Sequence, residues 1–577
     1  NNGGSITFLK KYESKALNIL SDVLLNPAFP QTDFDLSMEK YKTILSGIGD
    51  DGGTINQRVS AALIYGKGYP DGEVMTQSTL GNIRLSDLEN YYATYFAPNV
   101  ARLVIVGDIS LKEAKASAKK YFGNWKKKNV PVAQYVIPSA PSKTTLAYVN
   151  KPGAVQSSID IAYPLAFSTG ADDYDAAKLV SYILGGSGNG RLFLNLREKH
   201  SYTYGIYASL QPDELAGSFS LTSGRGAASV KAAVTDSAVY EILEEMNRIV
   251  KEPVSEQELK SAKSYLAGSF SRGLENSGII ANFALNIDKY KLPKDYYKNY
   301  LKRLEAVSFA DVQAAAAKYI RPGNAWLVVT GDNAYAENLL RFTGDNTIHY
   351  YDFDANPTEA PVSIKADITA GEIIAAYTKA LGGENAIDKI SDYRMAGAIN
   401  MAGQILSLTQ AFKKPELSLT EIAMSGMTVQ KMAFDGTTLH ISGMQGSQEL
   451  TEGEVFESIK AEAAVVPELN YLSNGYTLEV GGIEKVNGSD AYVLNISKGA
   501  NKSASYFDRE TGLKVKSVVT ADTPEGAQQT IIEYGDYREA DGVKFPFLIK
   551  QNMAGMIMET TITSVEINKG IEDTVFQ

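Results

Sequence analysis

Cysteine is absent from all 577 residues. Disulfides, thiolate catalysis and cysteine-ligated zinc are therefore excluded. Histidine is nearly absent: His200, His349 and His440 are the only three, and no two stand close enough to share a helical turn. No run of about eighteen apolar residues occurs, so hydropathy gives no membrane-spanning helix. Basic charge is in deficit, with 56 Lys and Arg against 67 Asp and Glu and a net charge of -11. That balance argues against non-specific nucleic-acid binding, which needs clustered cations to displace counterions. The opening Asn1-Asn2-Gly3-Gly4 carries no charged-then-apolar leader pattern, so a signal peptide or lipid anchor is expected only upstream of it.

What is present is globular. Hydrophobic residues make up 44% of the chain, enough for large cores. The length suggests about three or four domains. Apolar periodicity predicts helices over Tyr12–Leu25, from a Thr32 or Asp33 cap to Gly47, over Asn56–Tyr65, over Asp87–Phe96 with Ser86 as cap, and over Leu111–Phe122. Ser5–Leu9 and Ala101–Val106 read as strands.

The chain then repeats itself. Tyr95, Pro98, the apolar run Leu103–Val106 and Gly107-Asp108 return as Tyr319, Pro322, Leu327–Thr330 and Gly331-Asp332, at a constant offset of 224. Asp87 and Asp311 pair at the same offset. Coincidence of tyrosine, proline, Gly-Asp and an apolar run indicates a duplicated domain. Counted back from its end, the first copy lacks roughly ninety residues of opening strands and helix. A sheet without those strands would expose an edge, so another polypeptide segment is expected to complete it. The predicted order is 1–127 as the end of the first copy, 128–143 as a proline-bearing linker, 144–343 as the second copy, 344–366 as a second linker, and 367–577 as a third domain. In the second copy, 145–149 and 157–164 read as strands, 202–210 and 217–223 as a hairpin, and 230–250 and 256–271 as helices.

The second copy contains a glycine-rich turn, Gly185 to Gly190, followed by Arg191-Leu192-Phe193-Leu194-Asn195-Leu196-Arg197 and, seven residues on, Tyr204. Ser187 or Asn189 can cap the short helix. Leu192, Phe193 and Leu196 form its apolar stripe. No Lys-Ser/Thr follows the glycines, which excludes a P-loop. This block resembles the second-domain signature of the M16 peptidases, the insulinase, pitrilysin and mitochondrial processing peptidase family. The resemblance implies that Arg197 and Tyr204 bind the substrate backbone opposite a zinc site. The plainer alternative is that Arg197 is ion-paired and Tyr204 packed. Glu198, Lys199, Asp50-Asp51, Asp172-Asp173 and Glu244-Glu245 read as solvated carboxylates and helix ends rather than acid–base pairs.

An active member of that family carries H-x-x-E-H and a later glutamate ligand, because two imidazoles and a carboxylate hold the zinc. Here the segment Leu25-Asn26-Pro27-Ala28-Phe29 leads to Ile44-Leu45-Ser46-Gly47-Ile48, and Gly47 stands where the family has the glutamate. The expected catalytic residues and metal ligands are therefore none, and zinc is expected only in a partner chain.

From about residue 367 the style changes to one helix, Ala370–Leu381, and then alternating strands punctuated by Asp435-Gly436, Asn487-Gly488, Thr511-Gly512 and Asp541-Gly542. Tyr506 to Leu513 and Tyr534 to Pro546 resemble the LolA/LolB-like lipoprotein carriers, implying an antiparallel half-barrel with a covering helix. All of the twelve methionines except Met38, Met75 and Met246 lie here. Flexible methionine fits either a loosely packed core or a concave face for a lipid or other apolar ligand.

The fold expected is α+β: two M16-like sandwich domains, the first incomplete, then an antiparallel β domain. The function expected is that of a non-catalytic subunit, in a heterodimer whose zinc-bearing M16 partner hydrolyses the peptide, within the bacterial periplasm or tethered to the outer membrane. The alternative is a non-proteolytic clamp, scaffold or lipid carrier for outer-membrane proteins. A third reading is an active peptidase completed by the missing segment. With three scattered histidines, no cysteine and Gly47 at the ligand position, the purified chain should bind no stoichiometric zinc. Elemental analysis returning one tightly held zinc per chain would contradict this.

Overall fold

The computed structural model describes every residue except 1–2, 214–215, 224–225, 362–365, 402, 444–445, 500, 524–525 and 554–555. The chain forms two compact units, Asn1–Ala360 and Pro361–Gln577. The first mixes helices and strands and the second is mostly antiparallel sheet, so the expected α+β class is the one observed.

The first unit holds one eight-stranded sheet. Its strands are β1 (Thr145–Asn150), β2 (Gln156–Leu165), β3 (Tyr207–Gln211), β4 (Gly217–Thr222), β5 (Ala228–Lys231), β6 (Trp326–Gly331), β7 (Ile348–Tyr351) and β8 (Pro357–Thr358). The order is β3-β4-β2-β6-β1-β7-β8, with β5 also on β2. β6 lies between β1, which it pairs in parallel, and β2, which it pairs antiparallel. Its first-copy helices are α1 (Glu13–Leu25), α2 (Gln31–Ser46), α3 (Gly52–Tyr65), α4 (Gln77–Asn82), α5 (Leu85–Tyr95) and α6 (Leu111–Phe122). The second copy adds α7 (Tyr174–Gly185), α8 (Arg191–Phe193), α9 (Thr235–Lys251), α10 (Glu256–Gly273), α11 (Ser277–Lys289), α12 (Tyr300–Ala306) and α13 (Phe309–Tyr319).

The repeat is visible in the helices. Moving α5 forward by 224 gives the bounds of α13, and moving α3 gives 276–289, almost those of α11. Both α5 and α13 start with an aspartate that accepts from the N-cap N–H, Asp87 from Arg84 at 2.7 Å and Asp311 from Ser308 at 2.8 Å; only Ser308 returns the bond, its Oγ accepting from the Asp311 N–H at 3.2 Å. After α13 the chain enters β6. After α5 the corresponding residues 101–106 form no strand, contrary to the expectation for that apolar run. A strand needs neighbours for its backbone groups, and no described residue pairs with 101–106. Leu103 is accordingly 49% exposed, whereas its counterpart Leu327 is 1% exposed.

Alternation sends successive side chains of a strand to opposite faces. Leu146, Tyr148, Leu327 and Val329 enter a core shared with α7, α9 and α13. Ala147, Val149 and Val328 enter a second core with Ile55 and Val59 of α3. A first-copy helix thus covers the second copy's sheet. Asn56 fixes it there, its side-chain amide donating to the carbonyls of Ser158 and Val328, each at 3.0 Å.

Several local expectations differ from the structure. Residues 5–9 are not a strand, since no partner lies alongside. The caps at α2 and α5 are Pro30 and Arg84, not Thr32, Asp33 or Ser86. Residues 228–231 are strand β5, so the following helix begins at Thr235 rather than Val230. The stretch read as a linker from 344 contributes β7 and β8, because Ile348–Tyr350 pairs in parallel with Leu146–Tyr148.

The second unit is a thirteen-stranded antiparallel sheet. One arm meanders from Asp392–Met401 to Gly446–Leu450, the other from Thr477–Val486 to Met556–Ile567, and the last strand pairs with the first. Helix α14 (Ala370–Leu381) lays Ile373, Ile374, Tyr377 and Leu381 against strand residues including Leu494, Phe507 and Phe545. Strand register puts Met395, Met401, Met424, Met427, Met432 and Met558 on one face of the sheet, where Met395 and Met558 pack against that core, Met432 packs against another, and Met424 and Met427 are exposed. Met444 lies outside the described residues, as do the side chains of Met553 and Met556.

Asp160 on β2 is buried, its carboxylate accepting from the Leu221 N–H at 2.7 Å. Burial raises its pKa from 3.8 to about 7, against the lowering effect of that bond. The folded state therefore holds a proton that the unfolded chain releases above 3.8, so stability falls as pH rises from there to about 7. Asp160→Asn should be more stable than the parent at pH 8 by several kcal/mol, with the difference shrinking towards pH 4. Urea melts of both proteins across that range check it.

Candidate functional site

The glycine turn is a packing device. A Cβ on Gly185 would lie 2.5 Å from the Ala208 nitrogen, and one on Gly190 would lie 2.8 Å from the Gly185 Cα. The two glycines let the end of α7 press against β3. Gly190, in extended conformation, is the residue that precedes α8; Ser187 closes the turn instead of capping the helix, accepting from the Asn189 N–H at its Oγ (3.2 Å) and from the Gly190 N–H at its carbonyl (2.9 Å). α8 is a single turn and continues as a π-helix over Leu194–Lys199. Leu192 and Leu196 are fully buried, and Phe193 is half-buried beside Tyr207, with ring centroids 5.7 Å apart.

Two polar residues that sequence reasoning did not single out hold this helix. Arg191 clasps Glu258 of α10 with two bonds, 2.6 and 3.1 Å. Burial alone would raise the Glu258 pKa, but Arg191 and the Ser255 cap outweigh it and hold it at about 2. Asn195 donates to Glu241 at 2.9 Å and Glu245 at 2.8 Å, both on α9. The spacing of Arg191 and Asn195, one turn apart between apolar Leu192 and Leu196, is the signal that could have flagged them.

Arg197 leaves this anchored helix with its side chain 43% exposed. Its Nη1 donates to the Tyr204 carbonyl oxygen. Nε lies 3.3 Å from Glu198 Oε1, and the guanidinium sits 5.3 Å from the centre of the Phe193 ring. Tyr204 is 49% exposed. The structure therefore brings the two expected site residues together and turns both outward. The route between them is not the expected strand, which begins only at Tyr207. Ser201 has φ 55°, and Thr203 ties the loop to β5 by donating to the Ser229 carbonyl at 2.6 Å. Tyr202 does not share a wall with Tyr204: it stacks on His200 and packs against the core, because the loop lacks strand alternation.

The residues present do not fit zinc. The three histidines lie apart: His200 faces Glu241, His349 faces Asp345, and His440 faces Asp435 and Glu449. Gly47 ends α2 and offers no ligand. Among the described residues no group of three or more His, Cys, Asp or Glu could hold a metal ion. Nor is any helix long and apolar enough to cross a membrane, again among the described residues.

The first unit is thus a mixed sheet flanked by helices in which, among the described residues, no group of side chains could hold a metal ion. The comparisons agree. Residues 82–266 match the family model described as Peptidase M16 inactive domain. The Helicobacter pylori protein named non-peptidase homolog YmxG is 22% identical over 327 residues, covering 53% of this chain and 70% of that one. A Bacillus subtilis relative named uncharacterized zinc protease YmxG is 22% identical over 272 residues, covering 47% of this chain and 63% of that one. The crystal structure of a peptidase M16 inactive domain from Pseudomonas fluorescens aligns with TM-score 0.50 and 23% identity over 56% of this chain and 76% of its own. Residues 82–266 are thus similar to the inactive M16 domain, and the likeness in structure extends to the fold.

Arg197→Ala should change folding stability by about 0.5 kcal/mol or less, because its ion pair and ring contact are solvent-exposed. Arg191→Ala should cost about 2–3 kcal/mol, since it strands a partly buried carboxylate. Paired denaturant melts of the two variants check the contrast.

Proposed function

We propose that this chain is the non-catalytic member of an M16 peptidase pair, holding extended peptide through Arg197 and Tyr204 while a second, zinc-bearing polypeptide carries the hydrolytic site. The observation that carries the reading is the exposed guanidinium, fixed by its bond to the Tyr204 carbonyl and set on a helix anchored by Arg191 and Asn195. A guanidinium has five N–H donors, so most remain to receive a peptide carbonyl or carboxylate. The Tyr204 hydroxyl adds a second polar contact beside it. Positioning of this sort assists a partner's reaction by removing the entropy of aligning the substrate.

The unfinished first copy supports the need for a second polypeptide segment. Its run 101–106 lacks strand neighbours among the described residues. Helix α11 buries no residue, whereas its counterpart α3 buries six residues. By the symmetry of the repeat, a sheet completing the first copy would cover α11 as the second copy's sheet is covered by α3. A missing N-terminal segment or the zinc-bearing chain would supply it. The reading extends to the bacterial periplasm, on the resemblance of the second unit's strand and turn motifs to envelope lipoprotein carriers; a lipid or other apolar ligand would bind in that unit.

A labelled extended peptide should bind the assembled pair, and Arg197→Ala should weaken that binding about tenfold, the loss of one charge-assisted bond. Fluorescence anisotropy measures it, with thermal melts as control. Unchanged binding would remove Arg197 from the site. Co-purification with outer-membrane proteins and no H-x-x-E-H chain would favour the non-proteolytic clamp.

A further inference from the structure

The end of α7 borders an open groove of about 420 Å³, within the range of roughly 300–1,000 Å³ common for small-ligand sites. Lys178 and Tyr182 of α7, one turn apart, form one wall; Tyr265 of α10 and Tyr207 of β3 form others. Tyr182 and Tyr265 stack with ring centroids 4.6 Å apart. Among the described residues Lys178 is the one charged residue lining the groove, and Leu266 its one large aliphatic residue.

Three other half-buried cations of this unit are matched by carboxylates. Arg191 is paired with Glu258, Arg303 with Asp175 and Arg58 with Asp354. Among the described residues Lys178 has neither an ion pair nor a hydrogen-bond partner. Burial pushes its amine below the ordinary lysine value, with no charged neighbour to offset it. An unpaired cation at the wall of a cavity is complemented by one negative charge brought from outside. Tyrosine rings suit an apolar or aromatic side chain next to that charge. A long acyl chain finds no aliphatic wall here.

We propose that this groove is a carboxylate-binding subsite for the C-terminal residue of a peptide, with Lys178 receiving the carboxylate and Tyr182, Tyr207 and Tyr265 enclosing the last side chain. The identity of the occupant rests on the peptide-binding reading above. The groove is linked to that site through Tyr207, which packs on Phe193 beneath Arg197.

The test uses N-acetyl-L-phenylalanine and its amide as probes on the full chain. Acetic anhydride labelling of Lys178, followed by mass spectrometry, should be suppressed by millimolar acid and not by the amide. Lys178→Met should lower affinity for the acid at least tenfold in equilibrium dialysis, while Lys178→Arg retains it. Equal protection by acid and amide, protection by neither, or undiminished binding by Lys178→Met would overturn the proposal. Labelling of the unmutated chain keeps the test valid should Lys178→Met fold poorly. Protection by the acid without any binding of extended peptide supports the subsite and removes the peptide-capture reading; binding of extended peptide without protection does the reverse.

Discussion

The first unit depends on covering both faces of a sheet whose inner strands are apolar on both sides. β1 and β6 place alternate residues into two separate cores, so neither of their faces tolerates water. The second copy's own helices cover one face. The other is covered by α3, about a hundred residues or more away from the strands it serves, and Asn56 secures it by filling the hydrogen-bonding capacity of two strand carbonyls. Duplication here does not give two independent domains; a helix of one copy is part of the other's core.

The site inherits its rigidity from that arrangement. β3 lies at the edge of the sheet, and the glycine turn allows α7 to meet it at backbone distance. The short helix that follows is gripped by Glu258 on α10 and by Glu241 and Glu245 on α9. Arg197 and Tyr204 therefore project from a fixed base although both are half-exposed. A flexible arginine would lose side-chain entropy on binding; one already held over Phe193 and against the Tyr204 carbonyl has less to lose.

The groove at Lys178 lies on the same edge of the sheet, behind the glycine turn, with Tyr207 shared between it and the packing beneath Arg197. This edge carries two cations, one paired locally and one not, whereas half-buried Arg58 and Arg303 are matched by Asp354 and Asp175.

Much of this was legible in the linear chain. The repeat at an offset of 224, the helices of both copies, the antiparallel character of the last domain and the proximity of Arg197 to Tyr204 all follow from residue order, because periodicity and short motifs are local. Five features were decided only by tertiary structure. Residues 101–106 have the apolar pattern of β6 and yet form no strand, since strand formation depends on neighbours that pattern does not supply. Residues 202–206 lead to β3 as a loop, because Thr203 bonds across to Ser229 instead of to a ladder. Residues 348–351, polar and near prolines, become β7 because β1 has a free edge there. The placement of α3 on another copy's sheet, and the isolation of Lys178 in its groove, arise from contacts between distant segments. Sequence fixes which side chains are apolar or charged at each position; only the packed chain determines which of them meet.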